Sequence, residues 1–217
     1  RARWVRSQTV VYQANRNGTF DIWYRDFDTG ADRRLTTFSG TNESAPAPRP
    51  GSPGIVYVEY DNNINTEGSA DIRGRLVLIP DTTAVPIDRI YLTSDTLRCG
   101  EPHWDPAGQK LCFSVENATD LSRHIYTMTL APGDSLPIQI TVGESHDYGP
   151  RWSPDGGRIV YASDRTNRWG IWVVHPEGEA KGLKLVSFDD SGASVYTPCW
   201  TPDGMNIIAS SDGRGGV

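Results

Sequence analysis

The sequence predicts an all-β chain assembled from repeats of one four-stranded unit, and two observations carry that expectation. A tryptophan-led turn recurs at a fixed period. Trp104-Asp105-Pro106-Ala107-Gly108, Trp152-Ser153-Pro154-Asp155-Gly156 and Trp200-Thr201-Pro202-Asp203-Gly204 lie 48 residues apart, and a period of this length marks a repeat architecture. Each copy then runs into Leu111-Cys112-Phe113, Ile159-Val160-Tyr161 or Ile207-Ile208-Ala209, residues that mostly suit a pleated, packed surface. Pro154 presets φ, Asp155 can accept from nearby amides and Gly156 tolerates positive φ. The marker is therefore a hairpin turn.

Each repeat shows strand signals in one order. The first copy has Val10-Val11-Tyr12, then 21–27, then Arg34-Leu35-Thr36. In the second, Ala45-Pro46-Ala47-Pro48 and Ile55-Val56-Tyr57-Val58 flank a degenerate turn over 49–54, and a polar insertion follows over 61–74. The third gives strands near 102–104, 110–115, 124–130 and 137–142, and the fourth near 150–152, 158–163, 170–175 and 183–188. A last copy stops after its second strand. The expected blades are 1–40, 41–94, 95–143, 144–190 and a partial 191–217, within a single domain over 1–217. Four-stranded units repeated around an axis make a β-propeller, here with about four and a half blades. Unbroken apolar runs such as Ile159-Val160-Tyr161 fit sheets covered on both faces.

Composition narrows the function classes. A formal net charge of −6 without a compact basic cluster argues against nucleic acid as the partner. No run approaches the roughly 20 apolar residues of a membrane span. Hydrophobic residues make up only 37% of the chain, but seven Trp and nine Tyr supply a core of few, large side chains. Of three cysteines, Cys99 and Cys112 fall too far apart to bridge. Cys112 takes the repeat position of Val160 and Ile208, that of a small buried hydrophobe.

The stretch Trp152 to Arg165 followed by Ile171-Trp172-Val173-Val174 resembles the repeat of TolB-like β-propellers, taken as a WD-type family that also supplies propeller domains to prolyl-oligopeptidase-type peptidases. The resemblance implies an extracytoplasmic, periplasmic propeller that binds protein or peptide at one mouth of its channel, without cofactor. It also implies six blades, so the chain is expected to be an incomplete copy of a longer protein or an open propeller. The expected role is a non-catalytic interaction scaffold, an extrinsic subunit of a membrane-associated complex. The competing expectation is the propeller of an enzyme: a peptidase gating domain or a metal-dependent saccharide lyase.

Residues that recur in every blade specify the fold, so function is expected in the unlike loops between blades, since loops on a rigid scaffold carry binding residues. Those segments, 39–45, 94–101, 143–149 and 189–197, nominate Asn42, Glu43, Arg98, Glu101, Glu144, His146, Asp147, Tyr148 and Tyr196 as binding residues. Asp95, Asp189 and Asp190 accompany them. Ser145-His146-Asp147 has the residue types of an acyl-transfer triad, but adjacent side chains cannot form its relay, and no Gly-x-Ser-x-Gly elbow occurs. His103, Arg151 and Cys199 share one repeat position, where packing or a hydrogen bond to a neighbouring blade is expected rather than a metal. The alternating oxygens of 61–68 lack the glycine and closing glutamate of a calcium loop. Asn15, Asp164 and Asp212 recur after second strands, as structural hydrogen bonds would.

Overall fold

The computed structural model describes residues 2–6, 8–16, 18–38, 40–61, 74–84, 87–130, 136–181, 183–187 and 195–211. The polar insertion after Asp61, Asp189, Asp190 and Asp212 lie outside them. The chain separates into two compact units, Arg1–Pro102 and His103–Val217.

The first unit holds two four-stranded antiparallel sheets. One comprises β1 (Ala2–Arg6), β2 (Thr9–Asn15), β3 (Phe20–Asp26) and β4 (Asp32–Arg34). The other comprises β5 (Thr41–Pro48), β6 (Ile55–Asp61), β7 (Arg75–Ile79) and β8 (Ile90–Tyr91). Val11, Ile22, Leu35, Ile55, Tyr57, Val77 and Ile79 form the core between them.

Next in the chain comes a sheet of β9 (Arg98–Trp104), β10 (Lys110–Glu116), β11 (Arg123–Thr129) and β12 (Ile138–Gln139). The fourth contains β13 (Asp147–Trp152), β14 (Ile159–Ser163), β15 (Gly170–Val174) and β16 (Leu183–Ser187), with a single 3-10 turn, Glu179–Lys181, before its last strand. β17 (Val195–Trp200) and β18 (Ile207–Ser211) pair as a fifth, two-stranded sheet. In the second unit Cys112, Ile125, Ile140, Trp152, Ile159, Tyr161 and Val174 form one core cluster, while Val160, Ala162, Ile171, Val173 and Val195 form another. Every residue of β14 is buried, so this sheet is covered on both faces. Cys112 sits in the core as its repeat position predicts, and all three cysteines are free.

The marker turn closes as its chemistry requires. Ser153 N–H donates to Arg158 O at 2.8 Å, Gly156 N–H to Ser153 O at 2.9 Å, Arg158 N–H to Ser153 Oγ at 2.9 Å, and Gly157 N–H to Asp155 Oδ1 at 2.9 Å. The third repeat has Asp105 where Ser153 stands and Ala107 where Asp155 stands. There one Asp105 carboxylate oxygen accepts from both Gln109 and Lys110 N–H, each at 2.7 Å. One carboxylate replaces a hydroxyl and a carboxylate.

A second recurring device closes the short outer strands. Thr36, Thr93 and Thr141 each accept an N–H on the third strand of their blade, from Ile22, Leu76 and Ile125 at 2.8–2.9 Å. These hydroxyls extend strand pairing beyond the two or three residues of β4, β8 and β12.

Two expectations need correction. β1 precedes the first predicted strand, Trp4 pairing with Val10. The first strand of each later blade also begins well ahead of its proline, so Asn42, Glu43, Arg98, Glu101, Asp147, Tyr148 and Tyr196 lie in strands rather than in connecting loops. The physical reason is a bulge. Ala45, Glu101, Gly149 and Thr197 each precede the blade's proline with φ of 49°, 56°, 59° and 44°. Pairing shifts register there in β5, β13 and β17 and then resumes, as an inserted residue allows.

Candidate functional site

The nominated residues gather into two polar clusters, one in each unit. In the first unit Asn42 and Glu43 project from the start of β5. Asn42 Oδ1 accepts Phe20 N–H at 2.7 Å, which ties two blades together. Glu43 is fully buried and receives the hydroxyls of Thr36 at 3.0 Å and Thr41 at 2.7 Å. Burial pushes its carboxyl up to about 7 against the pull of those hydroxyls, and the charges of Asp21 and Glu59 add to the rise. Glu59 on β6, also buried, is clamped by Arg75 Nε at 2.8 Å and Arg89 Nη1 at 2.7 Å. Arg75 in turn lies 3.8 Å over the Tyr91 ring. Arg98, Asp95, Glu59 and Arg75 line a cleft of about 550 Å³. Glu101 stands at the bulge of β9.

In the second unit the segment entering β13 supplies Glu144, Ser145, His146, Asp147 and Tyr148. A cleft of about 620 Å³ opens beside it, lined by Glu144, Ser145, Asp164, Arg165, Arg168 and Trp169 among others. Beneath it Asp147 is fully buried. Its Oδ1 accepts the Ser145 hydroxyl at 3.2 Å, and its Oδ2 lies 3.5 Å from Arg165 Nη2 and 3.6 Å from His124 Nδ1. Arg165 also pairs with Glu179 Oε1 at 2.9 Å and lies over Trp172 at 5.0 Å. Asp164 Oδ1 accepts His146 N–H at 2.7 Å, the structural bond expected at that repeat position.

An aromatic row meets the same cleft at Trp169. Tyr148 and Trp169 have ring centroids 5.1 Å apart, and Trp169 and Tyr196 5.7 Å, both pairs tilted. The Arg123 guanidinium, almost fully buried, lies 3.9 Å from the Tyr148 ring centre. Trp169 thus joins two nominated tyrosines from successive blades.

The family described as TolB beta propeller domain matches residues 86–216, more than half of the chain. The chain belongs to the TolB β-propeller domain family. An uncharacterised protein of Agrobacterium fabrum is 28% identical over 141 residues, covering 59% of this chain and 46% of its own. The chain spans about half the length of that curated relative. Among solved structures, TolB from Acinetobacter baumannii superposes with a TM-score of 0.69 at 19% identity, over 98% of this chain and 49% of that one. An oligogalacturonate lyase in complex with manganese gives 0.70 at 15% identity, over 95% and 57%. At these identities the likeness shows the fold alone. The family is that of TolB, and the WD-type description is not supported.

Of the nominated residues in the second unit, Glu144 lines the cleft, Asp147 contacts its lining residues Ser145 and Arg165, His146 follows Ser145, and Tyr148 and Tyr196 flank Trp169. Asn42, Glu43 and Arg98 belong to the other cluster. Sequence reasoning missed Trp169, Arg165, His124 and Arg123. Trp169 stands between the second and third strands of its blade, away from any repeat marker. The usable signal for the others is an acid three residues before the blade proline, Glu43 and Asp147, which once buried requires partners. Ser145, His146 and Asp147 form no relay: Ser145 bonds the carboxylate directly, and His146 Nδ1 has no hydrogen-bond partner among the described residues. His103 Nδ1 accepts Trp152 N–H at 3.3 Å, an inter-blade bond that is one of the two roles expected at its position. Among the described residues no group of three His, Cys, Asp or Glu is placed to hold a metal ion. No helix there is long and apolar enough to cross a membrane.

Proposed function

We propose that this propeller is a non-catalytic scaffold that recognises a protein partner at the cleft beside β13, outside the cytoplasm, as an extrinsic subunit of a membrane-associated complex. One observation carries the reading: the aromatic row Tyr148, Trp169 and Tyr196, whose Trp169 lines the cleft together with Arg168 and Glu144. Tryptophan, tyrosine and arginine are the side chains that dominate the energy of protein interfaces. That the five sheets form a single domain over 1–217 is part of the same proposal, supported by the repeat that runs through both units.

The test is capture from an envelope extract by the immobilised chain, run beside Trp169→Ala. A protein held by the wild type and weakened tenfold or more in the variant supports the reading. Equal capture by both chains overturns the assignment of the site. The competing enzymatic reading predicts manganese-dependent cleavage of oligogalacturonate by the purified chain.

A further inference from the structure

His124 is the group in the second unit whose position calls for an explanation beyond packing. It is 8% exposed, and its Nδ1 has no hydrogen-bond partner among the described residues. That nitrogen faces Asp147 Oδ2 at 3.6 Å, close enough for charge to matter but beyond a hydrogen bond. A buried polar atom without a partner carries a desolvation cost that pairing would remove.

Charged groups lie around the pair. Asp147 from β13 and Glu179 from the 3-10 turn bring two negative charges, and Arg165 from the end of β14 answers both with one positive. Among the described residues these three groups carry one net negative charge. On the other side, Glu116 of β10 lies 3.6 Å from Arg123. Asp120, in the turn before β11, is held below the usual carboxylate range by the hydroxyl and amide of Ser122, with His124 adding to the effect. Tyr161 of β14 is pushed up by burial and by Asp147, so it stays neutral.

We propose that His124 is a proton-operated control element for the cleft: on taking up a proton it pairs with Asp147 and draws that carboxylate away from Ser145 and Arg165. Both of those residues line the cleft. The change therefore reaches the binding wall without passing through the aromatic row. The protonated state adds one positive charge beneath the cleft, which favours acidic partner surfaces at low pH. The inference rests on the cleft being the binding site.

The test is a pH titration of the labelled full chain by nuclear magnetic resonance. It follows the imidazole carbons of His124, the backbone amide of Ser145 and the Nε–H of Arg165. The expected result is one shared midpoint for all three, and flat Ser145 and Arg165 signals in His124→Gln. Signals that hold still through the His124 titration overturn the proposal. So does a midpoint that follows His146, the neighbour of Ser145, or a response that persists in His124→Gln. If the variant does not fold, coincidence of the wild-type midpoints decides alone. These signals need no partner, so a failed capture and a failed titration are separate results.

Discussion

Glu43 and Asp147 occupy the same place in their blades, three residues ahead of Pro46 and Pro150, and both are fully buried. Their surroundings differ in kind. Asp147 has Arg165 and His124 within 3.6 Å. Among the described residues Glu43 has no cationic partner and is held by two threonine hydroxyls. One repeat position thus carries an ion-paired carboxylate in one blade and a carboxyl that prefers its proton in another. The same position holds Cys99 and Val195 in the remaining blades, both buried, so the fold asks only for burial there. The charge is an addition specific to each blade.

For Glu43 the sign of the pH dependence follows from the raised value. A carboxyl pushed up to about 7 in the folded chain contributes stability while protonated, and that contribution is lost as pH rises from the ordinary glutamate range through about 7. Glu43→Gln is expected to match the wild type near pH 5 and to exceed it by about 1–3 kcal/mol at pH 8. Urea denaturation at the two pH values reads this. A variant no more stable than the wild type at pH 8 would sink the argument.

The blades were legible because Trp152, Pro154, Asp155 and Gly156 repeat their turn chemistry elsewhere in the chain, and local rules suffice for a tight turn. The first strands run longer than the sequence suggests because Asn42, Glu43, Arg98 and Asp147 are polar, and polar runs next to a proline suggest a loop. What keeps them in strand is a bulge whose positive φ falls on Ala45, Glu101 and Thr197 as readily as on Gly149, so glycine gave no consistent signal. The site was half legible. Tyr148 and Tyr196 stand at a shared repeat position, whereas Trp169, Arg165 and His124 join them only through contacts across strands, which spacing along one chain does not encode.

The bulge itself makes opposite predictions at two equivalent sites. A residue before proline is pushed toward extended backbone, and left-handed φ costs a non-glycine residue about 1–2 kcal/mol. Thr197 is exposed, β-branched and at φ 44°, so Thr197→Gly is expected to gain about 0.5–1 kcal/mol despite losing the 2.7 Å bond between its hydroxyl and Ser210. Gly149→Ala is expected to lose about 1 kcal/mol. A Cβ at 149 would meet nothing within 4 Å, so that loss would be conformational rather than steric. Both are read from urea unfolding, and equal signs for the two variants would rule out backbone strain as the cause.

Arg16 and Arg165 offer a comparison in which geometry is shared and burial is not. Each follows the second strand of its blade and lies over a tryptophan, Arg16 over Trp23 at 4.0 Å and Arg165 over Trp172 at 5.0 Å. Each also pairs with an acid, Asp32 at 3.1 Å and Glu179 at 2.9 Å. The Arg16 side chain is 44% exposed, and an exposed ion pair contributes about 0–1 kcal/mol. Arg165 is 14% exposed and stands beside the fully buried Asp147, whose charge its removal would strand. Breaking such a buried arrangement costs about 3–5 kcal/mol, with Glu179, 21% exposed, able to recover some solvation. Arg165→Ala should therefore destabilise by about 2–4 kcal/mol and Arg16→Ala by under about 1 kcal/mol. Adding Asp147→Asn to Arg165→Ala should return part of the loss, because the stranded charge is then gone. A double variant as unstable as the sum of the two single ones would show that Arg165 acts through packing on Trp172, and not through Asp147.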